Sequence, residues 1–588
     1  MSVNKSFELD NSLRYSLHGF SLANPSVTLI EREKILFRKL TKESVALVSG
    51  GGSGHEPAHS GFVGEGMLAA AVAGDIFASP STAQILSAIR IAAKQAAGVL
   101  LIVKNYTGDV LHFGLAAERA RSMGIDCRVV IVGDDVAVGR TKGAGVGRRG
   151  LAGTVLVHKI AGEFARRYSA EYGVEEVAKV AEVVNDNLVT IGASLSHCKV
   201  PGREFESGLT DSQMELGMGI HNEPGVQVLE PIPPTDQLIQ EHMLPMLLSK
   251  DDKERYYVDF SPDDEVILLV NNLGGVSNYM LTAITAKVTE SLDKYGIRPV
   301  RTIYGSLMTA FNGNGFSITL LNVTRSRISL EEMFESPPSV LDLFDASTSA
   351  PAWPRTDSGT DAHACSETDL VLDTPTATPA GHFDYELFAA LVKAGSKQVR
   401  ESEPHITHLD NIVGDGDCGT TLVAGAQSIE DALEQLRGLS FSETIGQASQ
   451  IIEASMGGTS GALYSILLSG ISHEIAGICN SPDEEVTLKL FATALQRALR
   501  ALYKYSRARP GDCTMIDALE PFVSSLYQER DFFKAVEAAE EGARATAKMA
   551  AKFGRASYVS DTTDVPDPGA VGFVAFLRGM RAAFEKWN

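Results

Sequence analysis

The hydrophobic pattern of this chain changes period once, across a segment that has almost no pattern of its own. From about Ser44 to Val323, short β-branched runs (SVALVSG, GVLLIVKNY, DCRVVIVG, EVILLVNNL, GFSITLLNV) alternate with Ala-rich helical stretches. That alternation predicts α/β layers with largely parallel strands. Residues 347–381 then read STSAPAWPRTDSGTDAHACSETDLVLDTPTATPAG, a Ser/Thr/Pro/Ala/Asp-rich stretch without sustained periodicity, as in a linker. Beyond Phe383, segments such as FDYELFAALVKAGSKQVRES and TLKLFATALQRALRALYKYSRA space apolar residues at helical intervals. The 588 residues are too many for one core. The expected organisation is an α/β domain at 1–346, a flexible linker at 347–381 and an all-α domain at 382–588.

Charge narrows the partners. Against 52 Lys+Arg stand 74 Asp+Glu, a net charge of −22, which opposes binding to nucleic acid or anionic lipid. A small anionic nucleotide stays compatible, because metal ions and backbone N–H groups neutralise phosphate locally. No run reaches the roughly 18 apolar residues of a membrane span, and the amino terminus has no apolar signal region. The six cysteines are scattered without a C-x-x-C pair, which points to a reducing compartment. A cytoplasmic protein is expected.

Three loops in the first half carry chemistry. SGGGSGHEPAH follows a strand, and its glycines, among them Gly52 and Gly54 beside Ser53, read either as a tight strand-to-helix turn or as backbone N–H groups turned towards an oxygen-rich ligand. No Gly-Lys-Ser/Thr follows, so it is not a Walker A loop. His55 and Glu56 favour a site. VKNYTGDVLHFG sets Lys104 and Asp109 at a loop-to-helix junction, where the Asp reads equally as an N-cap or as a general base for a hydroxyl. In ELGMGIHNEPGV, His221 reads as a solvated loop histidine or, facing a carbonyl, as a nucleophile.

In the second half, HLDNIVGDGDCGTTLVAGA puts Asp410, Asp415 and Asp417 within eight residues. Clustered carboxylates repel unless a cation lies between them, and oxygen-only ligation suits Mg²⁺. The alternatives are an exposed acidic turn and an EF-hand; the latter fails because the twelfth positions are Thr421 and Ala426, not Glu. SMGGTSGALYS offers Gly457, Gly458 and Thr459 before a helical run, either as a phosphate-facing helix start or as a plain one.

Taken in order, GGGSGHEPAH, GDIFASPS, VKNYTGDVLHFGLAAERA, GRRGLAGTVLVHKIAG, LSHCKVPG, ELGMGIHNEPG and NNLGGVSN, followed by RPGDCTMIDALEP, GRASYV and VPDPGAVG, resemble the dihydroxyacetone kinase family, its single-chain fungal members in particular. The resemblance implies a ketose-binding domain of two α/β lobes and a nucleotide-binding closed barrel of helices. It implies that His221 binds the ketone covalently as a hemiaminal, that His55 hydrogen-bonds beside it, and that Asp109 activates the terminal hydroxyl. Gly52, Ser53, Gly54 and Lys104 complete that pocket. ATP contacts are implied at Cys418, Gly419, Thr420, Thr421, Gly457, Gly458, Thr459, Gly511, Met515, Arg555, Asp567 and Gly569, with Mg²⁺ on Asp410, Asp415 and Asp417. Cys513 stands where many relatives carry a basic residue, and Ser560 where glycine is frequent. The implied reaction is ATP-dependent phosphorylation of dihydroxyacetone, with D-glyceraldehyde as a second substrate. A homodimer is implied in which one chain's nucleotide domain serves the other's ketose domain. Relatives also include enzymes that split FAD into AMP and cyclic FMN, and ketose-binding regulators without catalysis.

Overall fold

A computed structural model describes residues 9–40, 45–143, 145–200, 208–354, 377–479, 481–551 and 564–587. The chain divides into two compact units, Met1–Ala362 and His363–Asn588.

The first unit holds two six-stranded sheets. Its strands are β1 Val27–Ile30, β2 Ile35–Arg38, β3 Val45–Ser53, β4 Ala70–Ile76, β5 Gly98–Lys104, β6 Asp126–Val132, β7 Leu188–Ser194, β8 Met214–Leu216, β9 Gln227–Leu229, β10 Val266–Asn272, β11 Pro299–Gly305 and β12 Gly315–Asn322. The sheet orders are β1-β2-β4-β3-β5-β6 and β11-β10-β12-β7-β8-β9. In the first sheet β4, β3, β5 and β6 run parallel. The second departs from the expected parallel arrangement, since only β10 and β11 are parallel and the other pairs are antiparallel. Strand direction follows from the connections, which apolar runs do not encode. A 16-residue helix, Asn278–Asp293, crosses from β10 to β11, whereas no helix lies between β11 and β12 to return the chain for a parallel pair.

The main core lies between the sheets. Leu47, Leu100 and Val132 from one sheet and Ile267, Leu269 and Leu321 from the other join a single buried cluster with the helices Thr154–Arg167 and Val174–Asp186. Thr154 to Ala165 are buried without interruption, so this helix is enclosed on all sides, with His158, Lys159 and Glu163 buried among its apolar residues. The expected linker is shorter at both described ends. Ala350 and Trp353 are buried in the first unit's core, and Ala380 is buried in the second, where its N–H donates to Ser442 Oγ at 2.8 Å. Residues 355–376 lie outside the described residues.

The second unit is helical, as its 3.6-residue periodicity requires. In chain order the helices Tyr385–Val413, Cys418–Asp431, Phe441–Ser455, Gly458–Ile478, Leu488–Leu502, Ile516–Glu529, Phe532–Ala545 and Pro568–Trp587 each pack on the next, and the last packs on the first. The ring encloses an apolar cavity of about 1570 Å³, lined by Phe388, Leu422, Ile452, Leu467, Phe522 and Phe573 among others. Among the described residues no helix is long and apolar enough to cross a membrane.

The ring closes through glycine. A Cβ on Gly579 would lie 2.2 Å from Ala394 O, so the first and last helices meet backbone to backbone. We expect Gly579→Val to lower stability by about 2–3 kcal/mol in urea unfolding. Gly477→Ala, on a helix face where an added Cβ meets nothing within 4 Å, should be neutral or stabilising by up to about 1 kcal/mol.

Candidate functional site

In the first unit the site begins at the end of β3. Added Cβ atoms on Gly50 and Gly52 would come within 2.3 Å of Val72 O and 2.7 Å of Ala78 N, so only glycine allows the strip to lie this close to neighbouring backbone. Ser53 is buried, with its hydroxyl donating to Gly74 O, and Gly54 N–H donates to Glu56 at 2.8 Å. Just beyond, His55 is fully buried. Its Nδ1 contacts Thr309 O at 2.8 Å and its Nε2 contacts His221 Nε2 at 2.9 Å.

Hydrogen positions follow from the partners. A carbonyl only accepts, so His55 carries a hydrogen on Nδ1. On the far side, His221 Nδ1 donates to Glu223 Oε1 at 2.8 Å, while the backbone N–H of His221 donates to Glu223 Oε2 at 2.9 Å. One further hydrogen must then lie between the two Nε2 atoms, because facing lone pairs would repel. Burial, with Lys104 and His221 nearby, disfavours a charged His55, so His55 gives up a second hydrogen readily. Burial alone would raise the Glu223 carboxyl, but its bonds from His221 outweigh it and hold the group at about 2. Phe77 stacks on His55, with ring centres 5.1 Å apart, and Tyr106 sets its ring edge-on to His221 at 4.6 Å.

Lys104, the last residue of β5, and Asp109, in the first turn of the helix Thr107–Ser122, complete the pocket. Both are buried, and among the described residues neither Lys104 Nζ nor Asp109 Oδ1 has a hydrogen-bond partner. They flank the glycine strip, since a Cβ on Gly51 would lie 3.4 Å from Asp109 Oδ2 and 3.6 Å from Lys104 Cε. Burial lowers the Lys104 ammonium, against Asp109 and Glu223, which raise it. Orphaned buried charges are costly, and a ligand offering hydroxyls and a carbonyl would satisfy them.

In the second unit Asp410, buried in the last turn of Tyr385–Val413, meets the exposed Asp415 and Asp417, with their ligating atoms all within 4.8 Å of one another. Gly416, at φ 82°, turns the chain between them. Cys418 N–H, opening the next helix, donates to Asp410 Oδ2 at 2.9 Å. Gly419 packs against Thr407, Thr420 donates its hydroxyl to Asp417 O, and Thr421 N–H also donates to Asp417 O. Three convergent carboxylates with oxygen-only donors fit Mg²⁺.

The same neighbourhood takes in Asp567, whose carboxyl burial pushes up to about 7, with Asp517 and Asp410 adding to the rise. Burial, Asp410 and Asp567 likewise push the Cys418 thiol up to about 12. A Cβ on Gly569 would lie 3.2 Å from Asp567 Oδ1 and 3.6 Å from Met515 Cβ. Gly511 N–H donates to Asp517. Gly457, Gly458 and Thr459 are exposed at the start of Gly458–Ile478, with no side chain capping it. Cys513, at φ 58°, donates its thiol to Thr546 O. Arg555 and Ser560 lie outside the described residues.

Glu223, Phe77, Tyr106 and Thr309 extend the expected first-unit set. Glu223 had a signal, a carboxylate two residues after the histidine. Thr309 had none, since a backbone carbonyl 254 residues from His55 leaves no mark in sequence. A carboxyl depressed in the folded state stabilises above its ordinary pKa and loses that contribution as pH falls through the folded value. For Glu223, about a third exposed, the contribution is discounted to about 1–2 kcal/mol. Glu223→Gln should therefore lower the urea midpoint most above about pH 5, with the gap to wild type narrowing towards pH 3.

Comparison with known proteins identifies the family. Residues 18–352 match the Dak1 domain and residues 412–582 the DAK2 domain. Dihydroxyacetone kinase 1 of Saccharomyces cerevisiae is 60% identical over 580 residues, covering 98% of this chain and 99% of its own. Triokinase/FMN cyclase of Homo sapiens is 37% identical, covering 96% of each. The crystal structure of the dihydroxyacetone kinase from C. freundii in complex with AMP-PNP and Mg²⁺ aligns with TM-score 0.66 at 32% identity, over 99% of this chain and 100% of that one. With a histidine-centred α/β unit and a carboxylate-bearing helical unit on one polypeptide, this chain belongs to the dihydroxyacetone kinase family.

Proposed function

We propose that this kinase phosphorylates dihydroxyacetone, with the ketone held covalently on His221. The contact between the two Nε2 atoms carries the proposal. When the shared hydrogen sits on His55, His221 Nε2 presents a lone pair to the carbonyl carbon. As the C–N bond forms, the carbonyl π pair moves to oxygen, which takes the hydrogen from His55 Nε2. The Glu223 carboxylate, on Nδ1–H, fixes the tautomer and offsets the positive charge that develops on the ring. Asp109 would accept the proton of the terminal hydroxyl as it attacks, and Lys104 would complete the pocket as a hydrogen-bond donor.

In the helical unit Asp410, Asp415 and Asp417 would hold Mg²⁺, which when bound neutralises phosphate charge. Free N–H groups at Gly457–Thr459 and the loops at Cys418–Thr421, Gly511–Met515 and Asp567–Gly569, with Arg555, would hold the nucleotide ATP. Glycerol has hydroxyls in similar places but no electrophilic carbon, so the proposed capture selects ketone over alcohol. D-glyceraldehyde fits the same chemistry. The five described cysteines are free, in keeping with a cytoplasmic setting. The net charge of −22 disfavours nucleic acid or membrane as partners. The gathered carboxylates argue against a regulator without catalysis.

A second activity, splitting FAD into AMP and cyclic FMN, is favoured by the likeness to triokinase/FMN cyclase. Incubation with FAD and Mn²⁺ should release cyclic FMN, and its absence removes this activity.

For the kinase reaction, His221→Ala should lower kcat/KM for dihydroxyacetone by about 10²-fold or more and erase the preference over glycerol. Retained ketone preference contradicts covalent capture. Asp415→Ala should abolish turnover. A homodimer with domain exchange between chains predicts that mixing these two inactive variants restores activity, because one mixed site then combines two intact domains. A mixture that stays inactive rules the exchange out.

A further inference from the structure

The ketose pocket has another polar wall. His59 is buried, and among the described residues its Nε2 has no hydrogen-bond partner. A Cβ on Gly51 would lie 3.8 Å from that nitrogen, on the same face of the glycine strip as Asp109 Oδ2 and Lys104 Cε. Three orphaned polar groups, Lys104 Nζ, Asp109 Oδ1 and His59 Nε2, therefore belong to one strip.

The hydrogen on His59 can be assigned. Ser49 donates its only hydroxyl hydrogen to Ile102 O at 2.6 Å, so its 3.2 Å contact with His59 Nδ1 needs the hydrogen on the imidazole. The same Nδ1–H faces His158 Nε2 at 2.9 Å. In that tautomer His59 Nε2 is a bare lone pair, an acceptor 3.8 Å from where a Cβ on Gly51 would lie. Burial, with His158 and Lys104 beside it, keeps the ring neutral by lowering its pKa well below the ordinary value, and burial with Lys104 holds His158 at about 3.

We propose that His59 Nε2 accepts the hydrogen of the hydroxyl on the arm of the ketose that is not phosphorylated, with Lys104 donating to the same oxygen. This assignment rests on the ketose pocket proposed above and follows from a count of donors and acceptors. A dihydroxy ketone brings two hydroxyl hydrogens, and the strip offers two orphaned acceptors, Asp109 and His59. Asp109 is taken by the reacting hydroxyl, which leaves His59 for the other. A substrate without the second hydroxyl strands both His59 and Lys104 unpaired, and a pocket built this way rejects it. His59 is then a specificity-determining residue that selects hydroxylated ketones.

The full chain, supplied with ATP and Mg²⁺, is assayed on dihydroxyacetone and on hydroxyacetone, which has a single hydroxyl. His59→Asn places an amide N–H where Nδ1 was, keeping the Ser49 and His158 contacts, and has nothing at the Nε2 position. His59→Gln reaches the pocket with an acceptor oxygen and gives up those contacts. The wild-type preference for dihydroxyacetone in kcat/KM should fall about tenfold or more in His59→Asn and persist in His59→Gln, even though the latter has the lower urea midpoint. An unchanged preference in both, or a loss that tracks the midpoint, assigns His59 to packing alone and overturns the proposal. Failure of the ketose pocket itself shows separately, as ketone preference surviving in His221→Ala.

Discussion

Two imidazole nitrogens 2.9 Å apart cannot both present lone pairs, and with a carbonyl on one outer nitrogen and a carboxylate on the other, the row from Thr309 to Glu223 has room for one hydrogen at its centre. That hydrogen ties together parts of the chain that are otherwise unrelated. His55 follows a strand of the first sheet, Thr309 lies between two strands of the second, and His221 with Glu223 sits in the turn after β8. The α/β unit has to bring all three to within a hydrogen bond of each other, and its shared core between the sheets is the rigid element that does so.

The strip beside this row shows the cost of such a site. Lys104, Asp109 and His59 are buried with polar atoms left unmatched, an arrangement that destabilises the unliganded fold. The surrounding packing offsets it. The helix Thr154–Arg167 has 0% exposure at most of its positions, and the strip's own glycines remove side chains that would otherwise fill the space.

Sequence disclosed the two halves of this protein unequally. The acidic site is local, three carboxylates and a glycine bend within eight residues, and the structure brings the three together without help from distant segments. The ketose pocket is assembled from partners 166 and 254 residues apart in sequence. Taken alone, His221 therefore reads as an ordinary loop histidine, and the surrounding motifs carry its role, whereas His59 leaves no mark in sequence because its significance is a tautomer set by Ser49. The change from strand to helical periodicity marked the two architectures, but the direction of strands in the second sheet and the packed ends of the 347–381 segment depended on connections and on single buried residues such as Trp353.

The helical ring has a further property. Its first helix, Tyr385–Val413, finds its largest partner in its last, Pro568–Trp587, so the two elements that seal it are the most widely separated in synthesis. A nascent chain lacking the final helix exposes the cavity wall, with Leu422, Phe522 and their neighbours, and has no edge on which to close. Between translation of Val413 and of Trp587 this unit is an open crescent of apolar surface, which makes it a natural client for chaperones until its last turn emerges.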